Sequence, residues 1–150
     1  MTFCKEMTTP TLNSIAEMLR KAETAGEKFE SNRSIVSQAA IAELRATYPG
    51  IPEDYLEYLR HIGSGSLLSC SYAVYEAPIA PIKIFGLHHS SWPSDLLAFG
   101  DNFSGDLGVF IPSEEWAVAE LWHYDRSIVR NDDSFSEYLS GLIENLAQDS

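Results

Sequence analysis

The sequence is short of several things, and each shortage removes a class of function. Cysteine occurs twice in 150 residues, as Cys4 and Cys70, without the spacing of a metal knuckle or a redox pair. A disulfide framework is therefore not expected, and the chain reads as a reduced, cytoplasmic protein. No apolar run approaches the roughly 18 to 20 residues that span a bilayer. The opening MTFCKEMTTPTLNS lacks the apolar stretch of a secretory signal, so export is not expected. Basic residues are also scarce, ten Lys and Arg against 22 Asp and Glu, for a net charge of −12. Residues 1–50 set six Lys/Arg against six Glu, whereas residues 51–150 set four against sixteen, so the whole excess lies in the last two-thirds. Such a field repels nucleic acid and membrane surfaces and attracts cationic partners. The plainer reading is that acidity keeps the protein soluble.

What the chain does have is apolar content, at 45%, enough for one domain with its own core. The first third reads as helix. In TPTLNSIAEMLRKAETAGEKF, Thr9 is a cap, Pro10 the first helical residue, and Leu12, Ile15, Met18, Leu19 and Ala22 share a stripe. A second helix is expected over SIVSQAAIAELRATY, ending before Pro49-Gly50. A third begins at Pro52, with Glu53 and Asp54 at the positive end of its dipole and Gly63 as its stop. Beyond Gly65 the texture changes to strand-length runs, SYAVYE, IKIFGL, LLAF, LGVFI and AELWHY, with Pro78, Pro81, Pro93 and Pro112 at their edges. These runs lie too close together for helical crossovers, which predicts a largely antiparallel sheet. SFSEYLSGLIENLA closes the chain as an amphipathic helix with a Ser134–Glu137 capping box. The expectation is a single α+β domain over 1–150, a sheet flanked by N-terminal helices and a C-terminal helix.

The stretch FGDNFSGDLGVF, residues 99–110, is the strongest candidate for chemistry. As a calcium loop counted from Asp101 it fails, because Phe103 and Gly105 fall where side-chain oxygens are needed and Asp106 where glycine is needed. As a phosphate loop it fails too, since a strand-like run rather than a helix follows and no lysine is near. A hairpin remains, with Asn102 and Gly105 suited to positive φ and Asp101 and Asp106 capping turn amides or facing water. A metal held by Asp101, Asp106 and a distant histidine is the minor alternative. His88 and His89, as strand neighbours, would point to opposite faces. The GSGS at 63–66 lacks the strand-Ser-helix order of a nucleophile elbow. Glu114-Glu115 and Asp132-Asp133 suit solvation or a helix start better than paired acid–base work. No catalytic residue, cofactor or metal is expected. Among the aromatics, Trp92, Trp116, Trp122 and Tyr124 read first as core. Trp116 is singled out because it follows the acidic turn IPSEE, the composition of a recognition surface for a basic partner.

The order of these signals resembles the SUKH superfamily, which includes fungal cell-wall assembly regulators and many bacterial immunity proteins. Pro52, Tyr55, Leu59 and Gly63 fit its proline-led helix, with Ser64-Gly65 where that family usually has paired glycines. Gly100, Gly105 and Asp106 fit its glycine-aspartate hairpin, His123 and Asp125 its later strand, and Ser134, Phe135, Tyr138 and Leu139 its closing helix. The resemblance spans about residues 33–145, leaving 1–32 as a helical extension. It implies a domain without catalytic residues whose bacterial members bind and neutralise a cognate toxin, often a nuclease.

Resemblance and acidity together predict an immunity protein that occludes a toxin's basic active-site surface. The expected partner-binding residues are Asp101, Asp106, Glu114, Glu115, Trp116, Asp132 and Asp133. The alternative is a regulatory scaffold that binds cellular proteins, as the fungal relatives do. Edge strands and the first helix both offer surfaces for self-association, so the oligomeric state stays open.

Overall fold

The structure is a computed structural model that describes residues 12–25, 33–68, 71–85, 95–131 and 134–148. Its first element, α1 (Leu12–Ala25), has the expected stripe: Ile15 and Leu19 are buried, with Leu12, Met18 and Ala22 packed beside them. Thr9, Pro10 and Gly26 lie outside the described residues.

The second helix starts later than its sequence suggests. Ser37 caps α2 (Gln38–Thr47) by accepting from Ala40 N–H at 3.2 Å. Arg33 and Ser34 instead form a short strand, β1, and the Arg33 guanidinium makes a two-pronged bond to Glu23 of α1 at 2.8 and 2.9 Å. The third helix, α3 (Glu53–His61), follows the expected plan, burying Tyr55, Leu56, Tyr58 and Leu59. The chain then turns at Gly63 (φ +109°), where a Cβ would lie 2.8 Å from the Ser34 carbonyl oxygen.

Strands β2 (Ser64–Leu67), β3 (Tyr72–Ile79), β4 (Leu97–Asp101), β5 (Leu107–Ile111), β6 (Ala117–Leu121) and β7 (Ile128–Asn131) complete a seven-stranded sheet. Each strand pairs antiparallel with its chain neighbour, in the order β1-β2-β3-β4-β5-β6-β7. Two of the strands, Ser64–Leu67 and Ile128–Asn131, are not among the runs expected from the sequence. The IKIFGL run departs from expectation in the other direction. Pro81–Phe85 is a single helical turn, α4, with proline at its start where the missing N–H costs nothing. Pro78 lies inside β3 rather than at its edge, and the ladder to β4 shifts register between Val74 and Ile79, so its missing donor is tolerated. A 3₁₀ turn, Pro112–Glu114, leads from β5 to β6.

The last helix, α5 (Phe135–Gln148), is capped as the sequence predicts. Ser134 N–H donates to Glu137 Oε1 at 2.8 Å, and Ser134 Oγ accepts from Glu137 N–H at 3.2 Å. The domain is therefore α+β, an antiparallel sheet with helices from both ends of the chain.

The helices α1, α2, α3 and α5 share one core with a single face of the sheet. Its centre is aromatic: Tyr55 lies 5.3 Å from both Phe110 and Phe135, and Phe99 lies 4.7 Å from Phe110. Such aromatic pairs contribute about 0.5–1.5 kcal/mol each beyond the area they bury. The Tyr55 hydroxyl donates to the Tyr75 carbonyl at 2.7 Å, which fixes the helix against the sheet. The opposite face carries a second cluster, Leu96, Ala98, Leu107, Val109, Ile111, Ala119 and Leu121, with Ile84 of α4 against it. Strand β5 is thus buried at all five positions, which explains why LGVFI is apolar throughout instead of alternating. Among the described residues no helix is long and apolar enough to cross a membrane.

Candidate functional site

The β4–β5 and β6–β7 turns lie side by side at one end of the sheet, because Leu107 pairs with Leu121. In the first, Asn102 organises the backbone. Its Oδ1 accepts from Ser104 N–H at 2.9 Å and Asp106 N–H at 3.2 Å, while its own N–H donates to the Asp106 carbonyl at 3.2 Å. Positive φ falls at Phe103 (+65°) and Gly105 (+102°), so the left-handed residue beside Gly105 is Phe103, where the sequence suggested Asn102. A buttoned-up loop of this kind places the Phe103 ring in solvent at 55% exposure.

Both aspartates of the turn are committed to holding it. Asp101 accepts from Phe103 N–H at 2.8 Å and from the Tyr75 hydroxyl at 2.6 Å. Burial, and after it the Asp101 carboxylate, pushes the Tyr75 phenol well up, so it stays a donor. Asp106 Oδ1 accepts from His123 N–H at 3.0 Å and lies 2.8 Å from His123 Nδ1. Burial works against ionisation of Asp106, but hydrogen bonds from His123, backbone and ring, and from Asn102 outweigh it and hold the carboxyl below its usual value. His123 therefore staples one turn to the other. The minor metal reading gains nothing: among the described residues no group of three His, Cys, Asp or Glu is placed to hold an ion. His88 and His89 lie outside them.

The second turn follows β6, which ends at Leu121, three residues earlier than AELWHY suggests. Trp122 N–H donates to the Ser127 carbonyl at 3.0 Å and closes the loop. Past the strand end, alternation no longer applies, and the aromatics read as core project outward. Trp122 is 41% and Tyr124 90% exposed. The Trp122 ring is nonetheless fixed, its Nε1–H donating to Glu120 Oε1 at 3.1 Å, while the Tyr138 hydroxyl of α5 donates to Glu120 Oε2 at 2.9 Å. Hydrogen bonds from Ser127, side chain and then backbone, hold the Asp125 carboxyl below its usual value.

The remaining expected residues lie elsewhere. Glu114, Glu115 and Trp116 occupy the β5–β6 connection, at the other end of the five-residue strand β5 and roughly 15 Å away. Glu114 pairs with Arg130 of β7 at 2.7 Å. Trp116, singled out for recognition because it follows the acidic turn, is half-buried. Left-handed backbone at Glu115 (φ +59°) and Trp116 (φ +60°) turns the indole back over the domain. There it meets Tyr48 (6.2 Å) and Phe110 (5.6 Å) edge-on, in the space left by Gly50. Asp132 and Asp133 lie outside the described residues, as does Trp92.

The expected set therefore splits between two ends of the sheet. The paired-turn end holds Asp101 and Asp106 and adds residues that sequence reasoning missed: Phe103, Glu120, Trp122, Tyr124 and Asp125. Its carboxylates differ from those elsewhere. Glu17, Glu23, Glu53 and Glu114 each pair with an arginine. Asp101, Glu120 and Asp125 accept from Tyr and Trp side chains, Ser127 and backbone N–H groups, and among the described residues none of the three pairs with a lysine or arginine. The arrangement orients negative charge and aromatic faces toward solvent. No family model, no curated protein and no solved structure matches the chain.

Proposed function

We propose that the chain is a non-catalytic immunity protein that binds a cognate toxin domain and covers its basic active-site surface. One observation carries this reading: the paired-turn end combines three exposed aromatic rings with three carboxylates, Asp101, Glu120 and Asp125, that accept from neutral donors and pair with no lysine or arginine among the described residues. Charge of one sign raises the rate of encounter with an oppositely charged surface, and aromatic side chains supply the buried contacts that slow dissociation. The net charge of −12 adds a long-range field of the same sign. The motif order shared with the SUKH superfamily supports the same function. In this reading Asp101 and Asp106 serve by shaping the turn, and the rings and carboxylates they position make the contact.

The test is a binding titration against the toxin domain encoded beside this gene, at low and moderate salt, with a parallel toxicity assay. Tight binding that weakens with salt and abolishes toxicity is the expected result. Absence of binding removes the immunity reading and leaves the regulatory scaffold.

A further inference from the structure

The indole of Trp122 is held in place yet half open to solvent, which is an uncommon combination. A free surface tryptophan would rotate about its side-chain bonds. Here the Nε1–H bond to Glu120 sets the ring plane, and the Tyr138 hydroxyl sets Glu120 in turn. The carboxylate beside the ring uses its two oxygens to accept from neutral donors, so its charge is oriented but not neutralised. Tyr124, two residues on, is 90% exposed, and Val129, opposite Glu120 in the β6–β7 register, is exposed as well. Around these side chains the two turns and the strand ends leading into them contribute Asp101, Asp106, Glu120 and Asp125 against one arginine, Arg126, and one histidine, His123, which pairs with Asp106.

We propose that this surface is a receptor for an arginine side chain of the partner protein, whose guanidinium stacks on the Trp122 indole beside the Glu120 carboxylate. The cation is chosen by charge: four carboxylates to one arginine exclude a phosphate or an acidic peptide. Arginine is chosen over lysine by shape. A planar guanidinium stacks on an indole face while its edge N–H groups reach a neighbouring carboxylate, whereas an ammonium is a compact, strongly hydrated point charge. Because Trp122 and Glu120 are already fixed, little side-chain freedom is lost on binding. The inference rests on the toxin-binding reading only for the source of the arginine.

The experiment titrates the full isotope-labelled chain with capped penta-arginine and, separately, capped penta-lysine, following the backbone amides of residues 120–126 and the Trp122 indole N–H. Penta-arginine is expected to shift these signals and to bind about threefold more tightly than penta-lysine. Tyr124→Ala, which removes a side chain that is almost wholly in solvent, and Trp122→Ala, checked for folding by circular dichroism, should each weaken penta-arginine about three- to tenfold. Glu120→Gln, with the indole N–H still able to donate, should do the same. Equal affinity for the two peptides, unchanged binding in the Trp122 and Tyr124 variants, or shifts centred on Glu114 and Glu115 would overturn the proposal. Full toxin neutralisation by Trp122→Ala would overturn it while leaving the immunity reading intact. Arginine binding by a chain that neutralises no neighbouring toxin would leave the receptor standing and remove the immunity reading.

Discussion

A single oxygen of Asp106 receives both the backbone N–H and the ring Nδ1 of His123, from a residue seventeen positions along the chain. This contact ties the β4–β5 turn to the β6–β7 turn beyond the strand pairing of Leu107 with Leu121. Asp106→Asn halves the acceptor capacity and removes the charge, and should cost about 1–2 kcal/mol. The sign of the pH dependence follows from the lowered carboxyl of the folded state. Its contribution is complete above the unfolded aspartate value of about 4 and is lost as pH falls through the lower folded value. Urea midpoints of wild type and Asp106→Asn should differ at pH 7 and draw together as pH falls below about 4.

Gly100 and Gly108 face each other across β4 and β5 and leave room for the buried Tyr72 ring. A Cβ at Gly108 would lie 2.4 Å from the Tyr72 hydroxyl oxygen and 2.6 Å from the Phe99 ring. Gly108→Ala should therefore cost about 1–3 kcal/mol through overpacking. Adding Tyr72→Phe removes the nearest atom, so the double variant should recover part of that loss. Chemical denaturation of the four proteins in the cycle measures the coupling, and strict additivity would contradict the packing account.

Trp116 and Trp122 should separate stability from recognition. Trp116→Ala removes edge-on contacts with Tyr48 and Phe110 and should cost about 2 kcal/mol, with partner binding preserved under folding conditions. Trp122→Ala should cost less than about 1 kcal/mol in stability and act on binding. Thermal melts paired with partner titrations of both variants check this.

Ser134→Ala should destabilise by about 1 kcal/mol, a shift of a few degrees in Tm for a domain of this size. Ser134→Asp should restore most of it, since a carboxylate also accepts from the Glu137 amide.

The capping box at Ser134 was legible because its geometry is fixed within four residues. The same holds for the acidic first turn of α3 and for the glycine that ends it. Locality also explains the failures. Ser64–Leu67 has no strand propensity and becomes a strand because Arg33–Ser34 and Tyr72–Val74 supply ladders on its two sides. The two tryptophans, both expected first in the core, part for a similar reason: Trp116 is half-buried against Tyr48 and Phe110, whereas Trp122 projects outward. What decides each is remote or conformational: Gly50 leaves space for the first indole, and β6 stops one residue before the second. Charge placed the acidic excess in residues 51–150. It did not separate carboxylates bound to arginine from those bound to neutral donors, because pairing depends on which strands meet.

The order of the sheet has a consequence for how the chain is made. Every strand pairs with its predecessor, so the ladder from β1 to β7 can be laid down in step with translation. The face that this ladder turns toward the helices carries Phe99, Phe110 and Val118, and it is finished only by Phe135, Tyr138, Leu139 and Ile143 of α5. Until those residues leave the ribosome, a formed sheet presents an uncovered aromatic surface to the cell. The last helix is therefore the element whose arrival ends the nascent chain's exposure to aggregation, and a tag or truncation there would prolong it.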